Sequence, residues 1–64
     1  MNIKAKIIES GKTLSEVAEL LSEKYDERVT IQNLSNKIRR GSLRIDDLER
    51  IADVLGYRIE WIKK

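Results

Sequence analysis

One stretch of the chain, TIQNLSNKIRRG at residues 30–41, contains amide and cationic side chains that could hydrogen bond to DNA bases. Gln and Asn can pair bidentately with adenine, and Arg or Lys can pair with guanine. At roughly 100° per residue, a helix would gather three aliphatic side chains on one side: Ile31, Leu34 and Ile38. The polar side chains would lie on the free side or its flanks: Gln32, Asn33, Asn36, Lys37, Arg39 and Arg40. The pattern favours contact with DNA over the alternative, a merely solvated polar face.

The distribution of charge singles out the same segment. Residues 28–44 contain five cations and no acid. The acids concentrate on either side, in residues 16–27 and 46–53. Because the net charge of the whole chain is only +2, this local excess is what indicates a polyanionic partner.

Length and composition predict one small folded domain, residues 1–64, that is not an enzyme. The chain is 41% hydrophobic and 38% charged, and no apolar run approaches the ~20 residues of a membrane span. It lacks Cys and His, paired catalytic carboxylates and a phosphate-binding glycine loop, so we expect no catalytic site, metal or cofactor. Asp46 and Asp47 could hold a metal, but two acids opening a helix are better explained by the helix dipole. We also expect no small-molecule ligand, no membrane association and a cytoplasmic location.

Glycine and capping patterns predict four helices. Gly11, Gly41 and Gly56 each follow a run of helix-forming residues, and glycine is favoured just past a helix end. Thr13 and Glu16 have the spacing of a capping box at the start of the second helix. The predicted helices span about residues 2–10, 13–25, 30–40 and 45–55. We expect Tyr25, Leu43 and the later Trp61 to pack against the core.

Residues 57–62, YRIEWI, predict a short C-terminal β-strand, because aromatic and β-branched residues alternate with charged ones. A lone strand would leave backbone groups unpaired, which favours pairing with the same strand of a second copy across a two-fold axis. With Ile59 on the axis, Tyr57 would face the second copy's Trp61, and Arg58 would face its Glu60. The alternative is a tail that folds over the core.

Three segments, TLSEVAELL, VTIQNLSNKIRRG and LERIADVLG, together resemble the lambda-repressor-like (Cro/CI-type, Xre-family) helix-turn-helix proteins. The resemblance covers residues 3–56. In that family a Thr or Ser caps the second helix, and the third helix ends in a basic residue and a glycine, as Thr13 and Arg40-Gly41 do here. The expected fold is therefore mainly α: a compact four-helix domain with the helix-turn-helix at about residues 13–40 and a short strand at about 57–62.

The resemblance implies sequence-specific binding of double-stranded DNA, with the third helix in the major groove. It implies a small transcriptional regulator, a Cro-like repressor acting by operator occupancy as a homodimer. The expected base contacts are Gln32, Asn33, Asn36 and Lys37. The expected phosphate contacts are Thr30, Arg39, Arg40, Arg44, Lys12 and Ser15. The expected dimer contacts through the strand are Tyr57, Arg58, Ile59, Glu60 and Trp61.

Two positions depart from the family pattern. Ser22 stands where the family usually has a glycine after the second helix, and the connection that follows is longer than usual. Leu14 stands where the family often has a phosphate-binding glutamine, so that contact is assigned to Ser15 or Lys12. On the same fold, the main alternative function is a protein-interaction module, such as an antitoxin-like or inhibitor protein, and RNA binding is a third.

Overall fold

Four α-helices make up most of the described part of the chain, residues 2–64 of a computed structural model. They are α1 (Ile3–Glu9), α2 (Leu14–Tyr25), α3 (Ile31–Arg40) and α4 (Ile45–Leu55). These bounds confirm the mainly helical fold class and the order of the predicted helices. Helix α2 packs against both α3 and α4, so it links these two helices.

Side chains cap the first three helices at their predicted starts. Thr13 Oγ1 accepts a hydrogen bond from the Glu16 amide at 3.2 Å, and Glu16 Oε1 accepts one from the Thr13 amide at 3.0 Å. The predicted capping box is therefore confirmed. Thr30 Oγ1 caps α3 in the same way, by accepting a hydrogen bond from the Asn33 amide at 3.1 Å. Because the first amides of a helix have no partner inside it, each cap fixes where its helix begins.

Gly41 ends α3 in the left-handed conformation, with φ of 66°, and its N–H bonds back to the Ile38 carbonyl. The end of α2 is different, because Asp26 rather than a glycine adopts the left-handed conformation there, with φ of 50°. Asp is among the few non-glycine residues that adopt this conformation readily. The chain therefore reverses between α2 and α3 without a glycine.

The core consists of six buried aliphatic side chains from all four helices: Ile7, Val17, Ala18, Leu21, Leu34 and Ile51. Tyr25 and Leu43 pack against it, as predicted. One prediction was wrong, because Trp61 is 86% exposed in the C-terminal tail. Ile31, at the start of α3, is 47% exposed.

Residues 57–64 form neither a helix nor a strand in the single chain that the structure describes. The predicted strand at residues 57–62 is therefore not confirmed. A strand is defined by backbone pairing with a neighbouring strand, and residues 2–64 contain no other strand with which this segment could pair. The Tyr57 amide instead donates to the Ala52 carbonyl at 2.8 Å. Ile59 and Tyr57 instead lie beside a small apolar groove between α1 and α4.

Ser22 joins the end of α2 to the start of α3. Its Oγ accepts a hydrogen bond from the Val29 amide at 3.0 Å. The hydroxyl can donate to the Ala18 carbonyl, at 2.8 Å, or to the Val29 carbonyl, at 3.1 Å. Through these contacts Ser22 holds the connection between α2 and α3 against the last turns of α2.

Polar contacts also join α2 to α4. The Tyr25 hydroxyl donates to Asp53 Oδ2 at 2.9 Å, and Lys24 forms an ion pair with the same carboxylate. Hydrogen bonds from Lys24 and Tyr25 lower the pKa of Asp53, and the same bonds raise the pKa values of Lys24 and Tyr25. Arg50 lies over the Tyr25 ring, with its guanidinium carbon 4.7 Å from the ring centroid.

Replacing Ser22 with Ala should lower the free energy of unfolding by about 1–3 kcal/mol, because the half-buried Val29 amide loses its partner. Urea denaturation followed by circular dichroism measures this. Ser35→Ala is the matched control, since Ser35 is also a half-buried helical serine and no hydrogen bond of its side chain is found within residues 2–64. That control should change the stability by less than about 0.5 kcal/mol. Equal effects of the two substitutions would show that Ser22 does not hold the connection.

The lowered pKa of Asp53 predicts a pH-dependent contribution to stability. The native state holds this carboxylate ionised more strongly than the unfolded chain does, so its contribution is present above the ordinary Asp pKa of about 3.9 and is lost as the pH falls through the lowered native value. In Asp53→Asn the amide oxygen can still accept from Tyr25, but this pH dependence should disappear. The urea midpoints of the two proteins should differ at pH 6 and converge in acid. A constant difference at all pH values would contradict the assignment.

Candidate nucleic-acid interface

The free side of α3 carries the predicted DNA-contacting side chains. Five of them are exposed: Gln32, Asn33, Lys37, Arg39 and Arg40. Asn36 is half-buried. Leu34 is the one buried residue of α3, and Ser35, Asn36 and Ile38 are half-buried, so the other six residues of the helix are exposed.

Asn36 is covered by a neighbouring cation. Arg39 Nη2 donates to Asn36 Oδ1 at 3.0 Å, which occupies the acceptor that bidentate pairing with adenine requires. The Asn36 amide can still donate. For Asn36 to pair with adenine, Arg39 would have to turn away, for example toward a phosphate.

Lys37 points toward α4. Its Nζ lies 3.9 Å from Asp47 Oδ2, and the same carboxylate oxygen accepts a hydrogen bond from the Arg44 amide at 3.0 Å. Asp47 therefore caps α4 and faces a cation of α3 at the same time. The long Lys37–Asp47 distance and the half-exposed Lys37 make this a weak attraction, which a closer anion could replace.

The predicted phosphate contacts lie in two places. Thr30, Arg39, Arg40 and Arg44 border α3 and the connection to α4. Lys12 and Ser15 lie before and within the first turn of α2, and within residues 2–64 their side chains form no hydrogen bond or ion pair with α3. The Thr30 hydroxyl oxygen already caps α3, but its hydrogen can be donated to an anion.

A groove beside α3 brings four of the predicted residues together: Asn33, Asn36, Lys37 and Arg40. It has a volume of about 330 Å³ and lies between α3, the connection before it and the N-terminal half of α4. Gln32 and Arg39 do not line it, so the predicted residues divide into a groove side and an outer side of α3.

Arg28 also lines this groove and was not assigned a contact from the sequence. The sequence feature that could have indicated a contact for Arg28 is the acid-free run of residues 28–44, to which it belongs. Ile31 was placed on the apolar side of α3 and was not assigned a DNA contact, because helical periodicity does not show that its side chain is 47% exposed. An exposed aliphatic group beside Gln32 suits the methyl group of a thymine.

The C-terminal tail exposes large apolar side chains. Trp61 and Ile62 are 86% and 83% exposed, and Tyr57 is half-exposed with Lys6 above its ring. Arg58 forms an ion pair with Glu60 of the same chain at 2.7 Å. Of these residues, Tyr57, Arg58, Glu60 and Trp61 were assigned to the dimer contact, and within one chain the side chain of Trp61 stays almost fully exposed.

No protein-family model matches the chain, and no curated protein or solved structure matches it. Within residues 2–64, no helix is long and apolar enough to cross a membrane. The same residues contain no group of three or more His, Cys, Asp or Glu side chains able to hold a metal ion.

Proposed function

We propose that this chain is a lambda-repressor-like helix-turn-helix protein that binds specific sequences of double-stranded DNA through α3. The observation that carries the proposal is the exposed side of α3, which presents amides and cations with no acid between residues 28 and 44. Solvated helix faces ordinarily mix both signs, as the exposed acids and Lys24 of α2 do here. A face with only donors and amides suits the phosphates and base edges of DNA.

The dimensions of α3 fit a major groove. Its ten residues span roughly 15 Å at the usual helical rise, and the major groove, about 12 Å wide, admits one helix. Only one side chain of α3 is buried, so α3 can enter the major groove of DNA while it remains packed against the core. The acid-rich surfaces of α2 and α4 would be repelled by phosphates, which favours an approach with α3 foremost.

Within this arrangement, Gln32 and Asn33 in the first turn of α3 reach base edges, together with Asn36 and Lys37 one turn later. Arg39, Arg40 and Arg44 bind phosphates and set the register, and the capped N-terminus at Thr30 can receive another. Release of Arg39 from Asn36 toward a phosphate would free the Asn36 oxygen for adenine. Release of Lys37 from Asp47 would likewise free a donor for guanine.

We propose that the protein acts as a homodimer through residues 57–62, paired as an antiparallel strand with the same segment of a second copy. The uncovered Trp61 and Tyr57 supply the apolar contact, and the Arg58–Glu60 pair can exchange for two equivalent pairs between the chains. A dimer would place two copies of α3 on one face of the duplex, one helical turn apart. The resulting function is that of a small Cro-like repressor, which acts in the cytoplasm by occupying its operator.

A protein-interaction module on the same fold is the second candidate. Its support is the exposure of Trp61, Ile62, Ile8 and Ile45, which could bury apolar surface against another protein. The two functions differ in their response to salt. Binding to duplex DNA should weaken with a slope in log K of about 0.9 per phosphate contact, and an apolar protein interface should not.

Selection of bound duplexes from a random DNA pool tests the proposal. We expect enrichment of a two-fold symmetric sequence, because each copy of α3 reads one half-site and the half-sites lie one helical turn apart. Enrichment of a single half-site would support DNA reading and contradict the dimer. No enrichment at low salt, where electrostatic binding is strongest, would contradict sequence-specific DNA binding and favour the protein-interaction module.

Single substitutions should separate base contacts from phosphate contacts. Gln32→Ala should relax preference at one base pair and cost about 1–3 kcal/mol on the selected site. Arg40→Ala should weaken binding to all duplexes alike and reduce the salt slope by about one contact. Lys4→Ala is the control, since it removes an exposed cation of α1 outside the acid-free segment. If Gln32→Ala leaves the preference intact, the outer side of α3 does not read bases.

A further inference from the structure

The groove beside α3 has the size and lining of a ligand site. Its volume of about 330 Å³ lies at the lower end of the ~300–1,000 Å³ typical of small-molecule sites. Its apolar lining comes from the edge of the core, chiefly Leu34, Leu43 and Ile51, with Val29 at the connection. Such a lining would accept a planar or aliphatic group.

The polar side of the groove is cationic. Four cations line it, namely Arg28, Lys37, Arg40 and Arg50, against two acids, Glu27 and Asp47. Both acids have partners. Arg50 Nη1 donates to Glu27 Oε1 at 2.9 Å, and Asp47 accepts from the Arg44 amide.

Arg28 and Arg40 differ from the other two cations. Neither forms an ion pair within residues 2–64, although both line the same groove from different elements. Guanidinium groups bind phosphate with paired hydrogen bonds. The amides of Asn33 and Asn36, which also line the groove, add donors that can recognise the edge of a heterocycle.

We propose that this groove binds a small organic phosphate with the chemistry of a nucleoside monophosphate. The phosphate lies between Arg28 and Arg40, and the ring lies on the apolar lining formed by Leu34 and Leu43. The phosphate matches the cationic residues of the lining, and the ring matches its apolar residues. Inorganic phosphate alone would use only the cations, and a nucleoside alone would use only the apolar part.

Occupancy of this groove would have a consequence for DNA binding, and this consequence alone rests on the function proposed above. Asn33, Asn36, Lys37 and Arg40 line the groove and are also predicted DNA contacts. A ligand held by these side chains would compete with the duplex for them. The small molecule would then act as an inducer that releases the protein from its operator.

Binding is tested by titrating the isotope-labelled 64-residue chain and following its amide signals by NMR. The probes are the 5′-monophosphates of adenosine, guanosine, cytidine and uridine, with inorganic phosphate and the free nucleosides for comparison. At least one nucleotide should shift the backbone and side-chain amide signals of Asn33 and Asn36 saturably. It should bind about tenfold or more tightly than phosphate or its own nucleoside. The proposal is overturned if no nucleotide shifts these signals at millimolar concentration, or if phosphate binds equally well.

Arg28→Gln tests the position of the phosphate, because Arg28 is not among the predicted DNA contacts. It should weaken nucleotide binding about fivefold or more, whereas Lys4→Gln, which removes an exposed cation of α1, should leave it unchanged. Equal effects of the two substitutions would indicate that the nucleotide is attracted to any cation of the surface, and they would overturn the assigned site. Unaltered chemical shifts elsewhere in the spectrum of Arg28→Gln show that the variant is folded.

A separate titration places the bound nucleotide in competition with the selected duplex. Release of the duplex by nucleotide, and no release by the same concentration of nucleoside, would support mutual exclusion. A nucleotide that binds in the NMR titration but leaves the duplex bound would overturn the inducer role. If no duplex is ever bound, the DNA-binding proposal fails, and the NMR result still decides whether the groove is a ligand site.

Discussion

The burial of Leu34 is the contact on which the arrangement of α3 depends. Leu34 is 4% exposed and is the one residue of α3 that is fully buried. Deleting such a side chain typically costs about 2–5 kcal/mol, a large share of the stability available to a chain of this size. Ile38, one turn later, packs against the same core but is only half-buried. The direction of α3 therefore depends on what happens at its two ends.

Local contacts fix the chain at both ends of α3. At the start, Thr30 caps the helix and Ser22 bonds the preceding Val29. At the end, Gly41 turns the chain so that Leu43 returns to the core. Exposed ion pairs such as Lys37–Asp47 contribute little by comparison. The consequence is that the polar side of α3 can change partners without loosening the helix, which a surface that binds and releases a ligand requires.

The helices were predictable because their signals are local. Capping residues such as Thr13 and Thr30, and a glycine such as Gly41, act within one turn of their own position, so their effect can be read from spacing alone. The packing of Leu43 was predictable for a similar reason, since a short connection must return an apolar side chain to the core.

The failures all involve contacts between distant residues or between chains. Trp61 is a large aromatic residue of the kind often found in a core, yet the core formed by the four short helices does not include it. The strand at residues 57–62 requires a second backbone as a partner, which periodicity within one chain does not provide.

The candidate site was predictable only in part. The residue types of α3 and the acid-free run come directly from the sequence, and they indicate a partner rich in phosphate. The groove depends on how closely α3 approaches α4, and the Arg39–Asn36 bond depends on side-chain conformation. For that reason Asn36 was assigned to bases without regard to the cation that covers it, and Arg28 was not assigned at all.

The division of α3 into a groove side and an outer side has a thermodynamic consequence. Two ligands that need the same side chains must weaken each other's binding by the same factor, whichever binds first. Gln32 and Arg39 lie outside the groove, so under the two proposals they would contribute to the binding of DNA only. Arg40 and Lys37 line the groove and would contribute to the binding of both ligands. The strength of the coupling is therefore set by the groove side, while sequence preference can reside on the outer side. A change in operator preference and a change in response to a small phosphate can thus arise from different residues of a single ten-residue helix.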